Sequence, residues 1–113
     1  MEKLARILYA EDSMDDIELT LAAFKEINMV NQIDIVRDGE EALDYLFFRG
    51  KYINREKCLP SFVLLDIKMP KLDGIEVLKA IRESPDYKSL PVVMLTSSQM
   101  ETDVIKSYEL GAN

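Results

Sequence analysis

The feature that most constrains this chain is an alternation: apolar runs of strand length take turns with segments whose apolar residues recur at helical spacing. Residues 5–10 ("ARILYA") read as a first strand, and Met14, Ile17, Leu21 and Phe24 then mark the stripe of an amphipathic helix. "QIDIVRD" alternates Ile33 and Ile35 with Gln32, Asp34 and Arg37, which suits a strand with one wetter face at a sheet edge. Ala42, Leu43, Leu46 and Phe47 mark a second helix. "FVLL" and "PVVML" are continuous apolar strands, as expected where both faces of a sheet are covered. Ile75, Leu78 and Ile81 mark a third helix, and Val104, Ile105 and Tyr108 a fourth. The order βαβαβαβα predicts an α/β fold, with a parallel sheet, right-handed crossovers and helices on both faces.

Helix starts support the same frame. Ser13-x-x-Asp16, Asp38-x-x-Glu41, Asp73-x-x-Glu76 and Ser98-x-x-Glu101 each set a capping oxygen three residues before an acid. Residues 49–60 ("RGKYINREKCLP") show no period and mixed charge, so they read as an extended, solvated connection, with partner contact as the alternative. A length of 113 residues fits one domain that buries roughly 60–70% of its unfolded surface.

Composition excludes several functions. Lysine and arginine number 14 against 21 aspartate and glutamate, and the net charge of −7 without a basic block disfavours nucleic acid and anionic membrane as direct ligands. No apolar run approaches the ~18 residues of a membrane span, no signal-peptide pattern opens the chain, and the lone Cys58 forms no intrachain disulfide, so the chain reads as cytoplasmic. There is no histidine, which removes Ser-His and Cys-His nucleophile pairs and His-containing metal sites. Gly39, Gly50, Gly74 and Gly111 make neither nucleotide-binding glycine pattern.

The polar residues gather where such a sheet binds ligands. Glu11 and Asp12 follow the first strand, Asp38 the second, Asp66 the third and Thr96 the fourth. Ligands of open α/β sheets sit at the carboxyl edge where strand order reverses, and a 2-1-3-4 order would bring Glu11, Asp12 and Asp66 together there. Two unit charges ~4 Å apart at an effective dielectric of ~20 repel by about 4 kcal/mol, so either a proton is retained or a cation is bound. All-oxygen ligation points to a hard divalent ion such as Mg²⁺, and a carboxylate beside Mg²⁺ suits phosphoryl transfer. Taken alone, Asp12 is equally a helix cap and Thr96 equally a strand end. Asp66, stranded after four apolar residues, has the weaker structural explanation.

"YAEDS", "VLLDIKMPKLDG" and "PVVMLTSS" resemble, in order and spacing, the receiver domain of two-component response regulators. The acidic pair and the long connection before the third strand are similar to stand-alone receivers that partner phytochrome-type histidine kinases. The resemblance implies a flavodoxin-like doubly wound sheet, with Asp66 as phosphoacceptor and Glu11, Asp12, Asp66 and the Lys68 backbone carbonyl around Mg²⁺. It implies Thr96 as a switch hydroxyl and Pro70 with Gly74 shaping the turn after the acceptor. Phosphate would come from a phosphohistidine on a sensor histidine kinase or phosphotransfer protein, and output would run through protein contacts; the protein would not be a metabolic enzyme.

Receivers also carry a fifth strand ending in a lysine that pairs with the phosphoryl group, and a fifth helix. By the match these fall beyond Asn113, which predicts a receiver domain over residues 1–113 that is truncated after its fourth helix, at Gly111. Two expectations follow: the "PVVML" strand becomes an edge open to strand addition or domain exchange with a second copy, and output coupling is impaired. An alternative is therefore a signalling-impaired fragment that self-associates. A Mg²⁺-dependent aspartyl phosphohydrolase is disfavoured, because the second acid it needs two residues after the nucleophile is Lys68 here.

Overall fold

The computed structural model describes residues 6–27, 32–56, 59–95 and 111. Its elements follow the alternation in the sequence: β1 (Arg6–Ala10), α1 (Met14–Glu26), β2 (Gln32–Val36), α2 (Gly39–Leu46), β3 (Phe62–Asp66), α3 (Gly74–Glu83) and β4 (Val92–Leu95). The fourth helix, its Ser98 cap, Cys58 and Thr96 lie outside the described residues.

The four described strands are parallel, as the crossover argument requires, and their order is β2-β1-β3-β4, the one under which the acids were expected to meet. Ala10 stands opposite Val36 on one side and Leu65 on the other, and Asp66 opposite Leu95. Alternation along the strands divides the core in two. Ile7, Tyr9 and Leu64 face α1, where they meet Ile17, Leu21 and Phe24. Leu8, Ala10, Val63 and Leu65 face α2 and α3, which supply Ala42, Leu46, Val77, Leu78 and Ile81. The edge position of β2 explains its mixed pattern, with Ile33 and Ile35 toward α1 while Asp34 lies on the α2 side and takes a hydrogen bond from the Tyr45 hydroxyl. Among the described residues no helix is long and apolar enough to cross a membrane.

Caps form at each described helix. Ser13 Oγ, Asp38 Oδ1 and Asp73 Oδ1 accept from the backbone N–H of Asp16, Glu41 and Glu76 at 3.2, 2.7 and 2.9 Å. The reciprocal half of the box is altered. Glu41 accepts from the N–H of Arg37, one residue before the cap, and Ser13 N–H donates to Glu11.

Two expectations need correction. Met14 is 52% exposed: it is the first residue of α1, and the contacts of that helix with the core are made by Ile17, Leu21 and Phe24. The connection after α2 is also more than a solvated loop: it makes a 3-10 turn at Gly50–Tyr52 and straps back onto α2. The Arg55 guanidinium carbon lies 3.9 Å from the Tyr45 ring centre and 4.1 Å from that of Phe48, while its Nε donates to the Tyr45 carbonyl at 2.8 Å. Tyr52 and Lys51 reach Glu41. Polar and aromatic contacts replace the apolar stripe that would have made this strap readable in the sequence.

Candidate functional site

Strand order reverses between β1 and β3, and the first acid after each strand is drawn into the gap there. Glu11 is carried by an extra rung of the ladder, its N–H donating to the Val36 carbonyl at 3.0 Å, and Asp66 is the last residue of β3. Both are 4% exposed, and they are the buried charged residues among those described. Asp12 follows Glu11 on the exposed side. A carboxylate oxygen from each of Glu11, Asp12 and Asp66 lies within 4.8 Å of the others. The convergence predicted from the 2-1-3-4 order is therefore present.

This pair of buried acids lacks a cationic partner in any described contact. Glu11 Oε2 accepts the Ser13 N–H at 3.4 Å, and Asp66 Oδ1 accepts the Lys68 N–H at 3.3 Å. Burial, the hydrogen bond to Asp66 and the Asp66 charge together push the Glu11 carboxyl up to about 7. Burial also raises Asp66, against the lowering effect of hydrogen bonds from Glu11 and the Lys68 N–H. Both shifts run the same way: burial and the neighbouring acid favour the protonated carboxyl over a second buried charge. Hard oxygen donors with excess negative charge fit a divalent cation, which would displace that proton.

The loop after β3 is shaped by close backbone approach. Gly74 N–H closes it by donating to the Ile67 carbonyl at 2.8 Å, and a Cβ on Gly74 would stand 2.2 Å from the Asp66 carbonyl oxygen. Only glycine fits between α3 and the acceptor strand. Ile67 and Met69 are buried, Lys68 and Pro70 exposed, and Lys71 takes a positive φ of 67°. A cavity of about 250 Å³ opens beside Glu11 and Asp66 toward α1, lined also by Tyr9, Asp16, Thr20 and Leu95. The Tyr9 hydroxyl is turned to Thr20 Oγ1 at 3.1 Å.

Asp38, the other acid at this edge, is separate. It caps α2 and lies 3.6 Å from Lys71 Nζ. Two features escaped the sequence reading: Asp16, noted only as a capping position, lines the cavity, and Arg37, noted only as a wet-face residue, reaches the metal loop. Its Nη2 donates to the Asp12 carbonyl at 2.6 Å.

Comparison with known proteins gives this arrangement its class. Residues 7–113 match the response regulator receiver domain, and the chain belongs to that family, whose function is signalling by phosphotransfer and not metabolic catalysis. Response regulator Rcp1 of Synechocystis sp. is 44% identical over 107 residues, 95% of this chain and 71% of that protein. A solved structure described as the Mn(2+)-bound form of Rcp1 matches with a TM-score of 0.87 at 43% identity, over 96% of this chain and 77% of that one. The bacteriophytochrome response regulator RtBRR matches with a TM-score of 0.89 at 52% identity, over 97% of this chain and 66% of that one. The phosphorylated cyanobacterial phytochrome response regulator RcpA matches with a TM-score of 0.87 at 39% identity, over 97% and 77%. The chain is thus a receiver domain homologous to phytochrome-associated regulators, with a divalent-metal-type acidic cluster at its carboxyl edge.

Proposed function

We propose that Asp66 is the phosphoacceptor of a signalling switch, charged by a phosphohistidine on a partner histidine kinase or phosphotransfer protein. One observation carries this reading: Asp66 is buried against Glu11, with no cationic side chain in contact among the described residues, at the strand-order reversal of a receiver fold. A carboxylate oxygen of Asp66 forms the new P–O bond as the P–N bond to the histidine breaks, and the leaving imidazole takes a proton from solvent. The Lys68 N–H, on Asp66 Oδ1, orients the attacking carboxylate.

Glu11, Asp12, Asp66 and the Lys68 backbone carbonyl would hold the metal, which we assign as Mg²⁺. Titrating carboxylates with a hard cation and leaving places for water and phosphoryl oxygens is the usual mode of Mg²⁺ binding. When bound, the ion offsets charge on the transferring phosphoryl group. The Mn²⁺ named for the Rcp1 structure is a divalent ion of the same oxygen-seeking kind. Thr96, next in sequence after β4, would offer its hydroxyl to a phosphoryl oxygen. We read residues 1–113 as one receiver unit, with phytochrome-type light signalling as its setting by analogy with RtBRR and RcpA.

Incubation with acetyl phosphate, followed by intact mass, tests the assignment. A phosphoryl adduct should form with Mg²⁺, fail with a chelator present and be absent in Asp66→Asn. An adduct that survives in Asp66→Asn, or none in the wild type, would overturn it.

A further inference from the structure

The two ligand residues after β1 are both tied by their backbones to the end of β2. Glu11 N–H reaches the Val36 carbonyl at 3.0 Å, and the next residue, Asp12, gives its carbonyl to Arg37 Nη2 at 2.6 Å. The first tie continues the sheet. The second is a charge-assisted hydrogen bond across 25 residues of sequence, made to the Asp12 carbonyl and, among the described contacts, not to a carboxylate of the site.

Arg37 is itself fixed from behind. Its N–H donates to Glu41 Oε1 at 2.9 Å, and the other oxygen of Glu41 takes Lys51 Nζ at 2.8 Å and the Tyr52 hydroxyl. The strap after α2 thus holds the Arg37 backbone through Glu41, and the Arg37 side chain extends from that held backbone to the peptide of Asp12. We propose that Arg37 is a positioning residue for the metal site: its guanidinium holds the β1–α1 loop so that Asp12 converges with Glu11 and Asp66. The proposal rests on the metal reading given above.

Charge and geometry make opposite demands here. A guanidinium beside a cation site repels the cation, so a residue acting only through its charge would weaken binding, and its removal would tighten it. A residue that acts by holding the loop has the reverse effect. Partners behind metal ligands commonly contribute 10- to 100-fold in affinity, and this exposed contact belongs at the lower end, about tenfold.

The test is Mn²⁺ titration by calorimetry on the whole chain as wild type, Arg37→Ala and Arg37→Lys, with metal-free melting alongside. Arg37→Ala should bind Mn²⁺ about tenfold more weakly, Arg37→Lys should recover part of the loss, and metal-free melting should stay within about 2 °C. In metal-free Arg37→Ala, amide exchange at Asp12 and Ser13 should quicken. Unchanged or tighter binding by Arg37→Ala, or a loss that lysine does not reduce, overturns the proposal while leaving the metal site intact. A wild type that binds no Mn²⁺ overturns the proposal and the metal reading together.

Discussion

Two glutamates, Glu11 and Glu41, lie near the carboxyl edge of the same sheet and are treated in opposite ways. Around Glu41 every demand is met: the Lys51 ammonium, the Tyr52 hydroxyl and the Arg37 N–H all donate to it. Although burial alone would raise its carboxyl, those donors hold it below the usual range. Glu11 is more deeply buried and faces another acid, so its carboxyl is pushed up to about 7. A satisfied carboxylate is structural; an unsatisfied pair is held in tension by the rest of the fold and is set to take up a cation.

The largest expected effect tests how rigidly the strained pair is framed. Gly74→Ala would force a Cβ to within 2.2 Å of the Asp66 carbonyl oxygen and 2.8 Å of Ile67 Cα. It should cost about 3 kcal/mol or more in urea unfolding and lower phosphorylation of Asp66 at temperatures where the fold survives. An alanine variant as stable as the wild type would show that this framing is loose.

Next comes removal of charge from the pair. In metal-free protein at pH 8, Glu11→Gln should stabilise the fold by about 1–2 kcal/mol, discounted from the full shift because Asp66 is raised as well and the crevice opens to solvent. The sign follows from linkage. A raised carboxyl binds its proton more tightly folded than unfolded, so its favourable contribution is complete below the ordinary glutamate value of 4.5 and is lost as pH rises through about 7. The gain from glutamine should therefore shrink toward pH 5, and saturating Mg²⁺ should reverse it by stabilising only the wild type. A stabilisation independent of pH would assign it to packing.

The clasp should respond in the other direction. Glu41→Gln loses an ion pair and weakens two hydrogen bonds, for a cost of about 1 kcal/mol at pH 7. Because the Glu41 carboxyl is lowered, that contribution is present above 4.5 and fades as pH falls through its folded value. Urea melts at pH 7 and pH 3 should show the difference closing. Tyr52→Phe, which removes one donor and keeps the ring against Tyr45, should have the smallest effect, a few tenths of a kcal/mol. A loss larger than that of Glu41→Gln would place the importance of Tyr52 in its ring packing.

These two regions were unequally legible in the sequence. The alternation of strands and helices followed from the apolar periods, and the meeting of Glu11, Asp12 and Asp66 followed once a 2-1-3-4 order was supposed, the order that the receiver resemblance supports and the sheet adopts. The caps at Ser13, Asp38 and Asp73 were legible because they are local. The clasp was not. Lys51, Tyr52 and Arg55 carry no period, and their partners Glu41, Tyr45 and Phe48 become visible only when the strap folds back on α2. Arg37 reads as a wet strand-end cation until the tertiary fold sets it against Asp12. Met14 fits the helical stripe yet is exposed at the start of α1, because period alone does not tell which turn of a helix first meets the core.

The most direct measurement is thermal melting of metal-free Glu11→Gln and Glu41→Gln beside the wild type at pH 8, each repeated with Mg²⁺. The account predicts opposite shifts without metal, upward for Glu11→Gln and downward for Glu41→Gln, and a Mg²⁺-dependent rise that Glu11→Gln largely loses and Glu41→Gln keeps. Shifts of the same sign, or an equal Mg²⁺ response in both variants, would contradict the claim that Glu11 and Asp66 form the unsatisfied, cation-seeking pair.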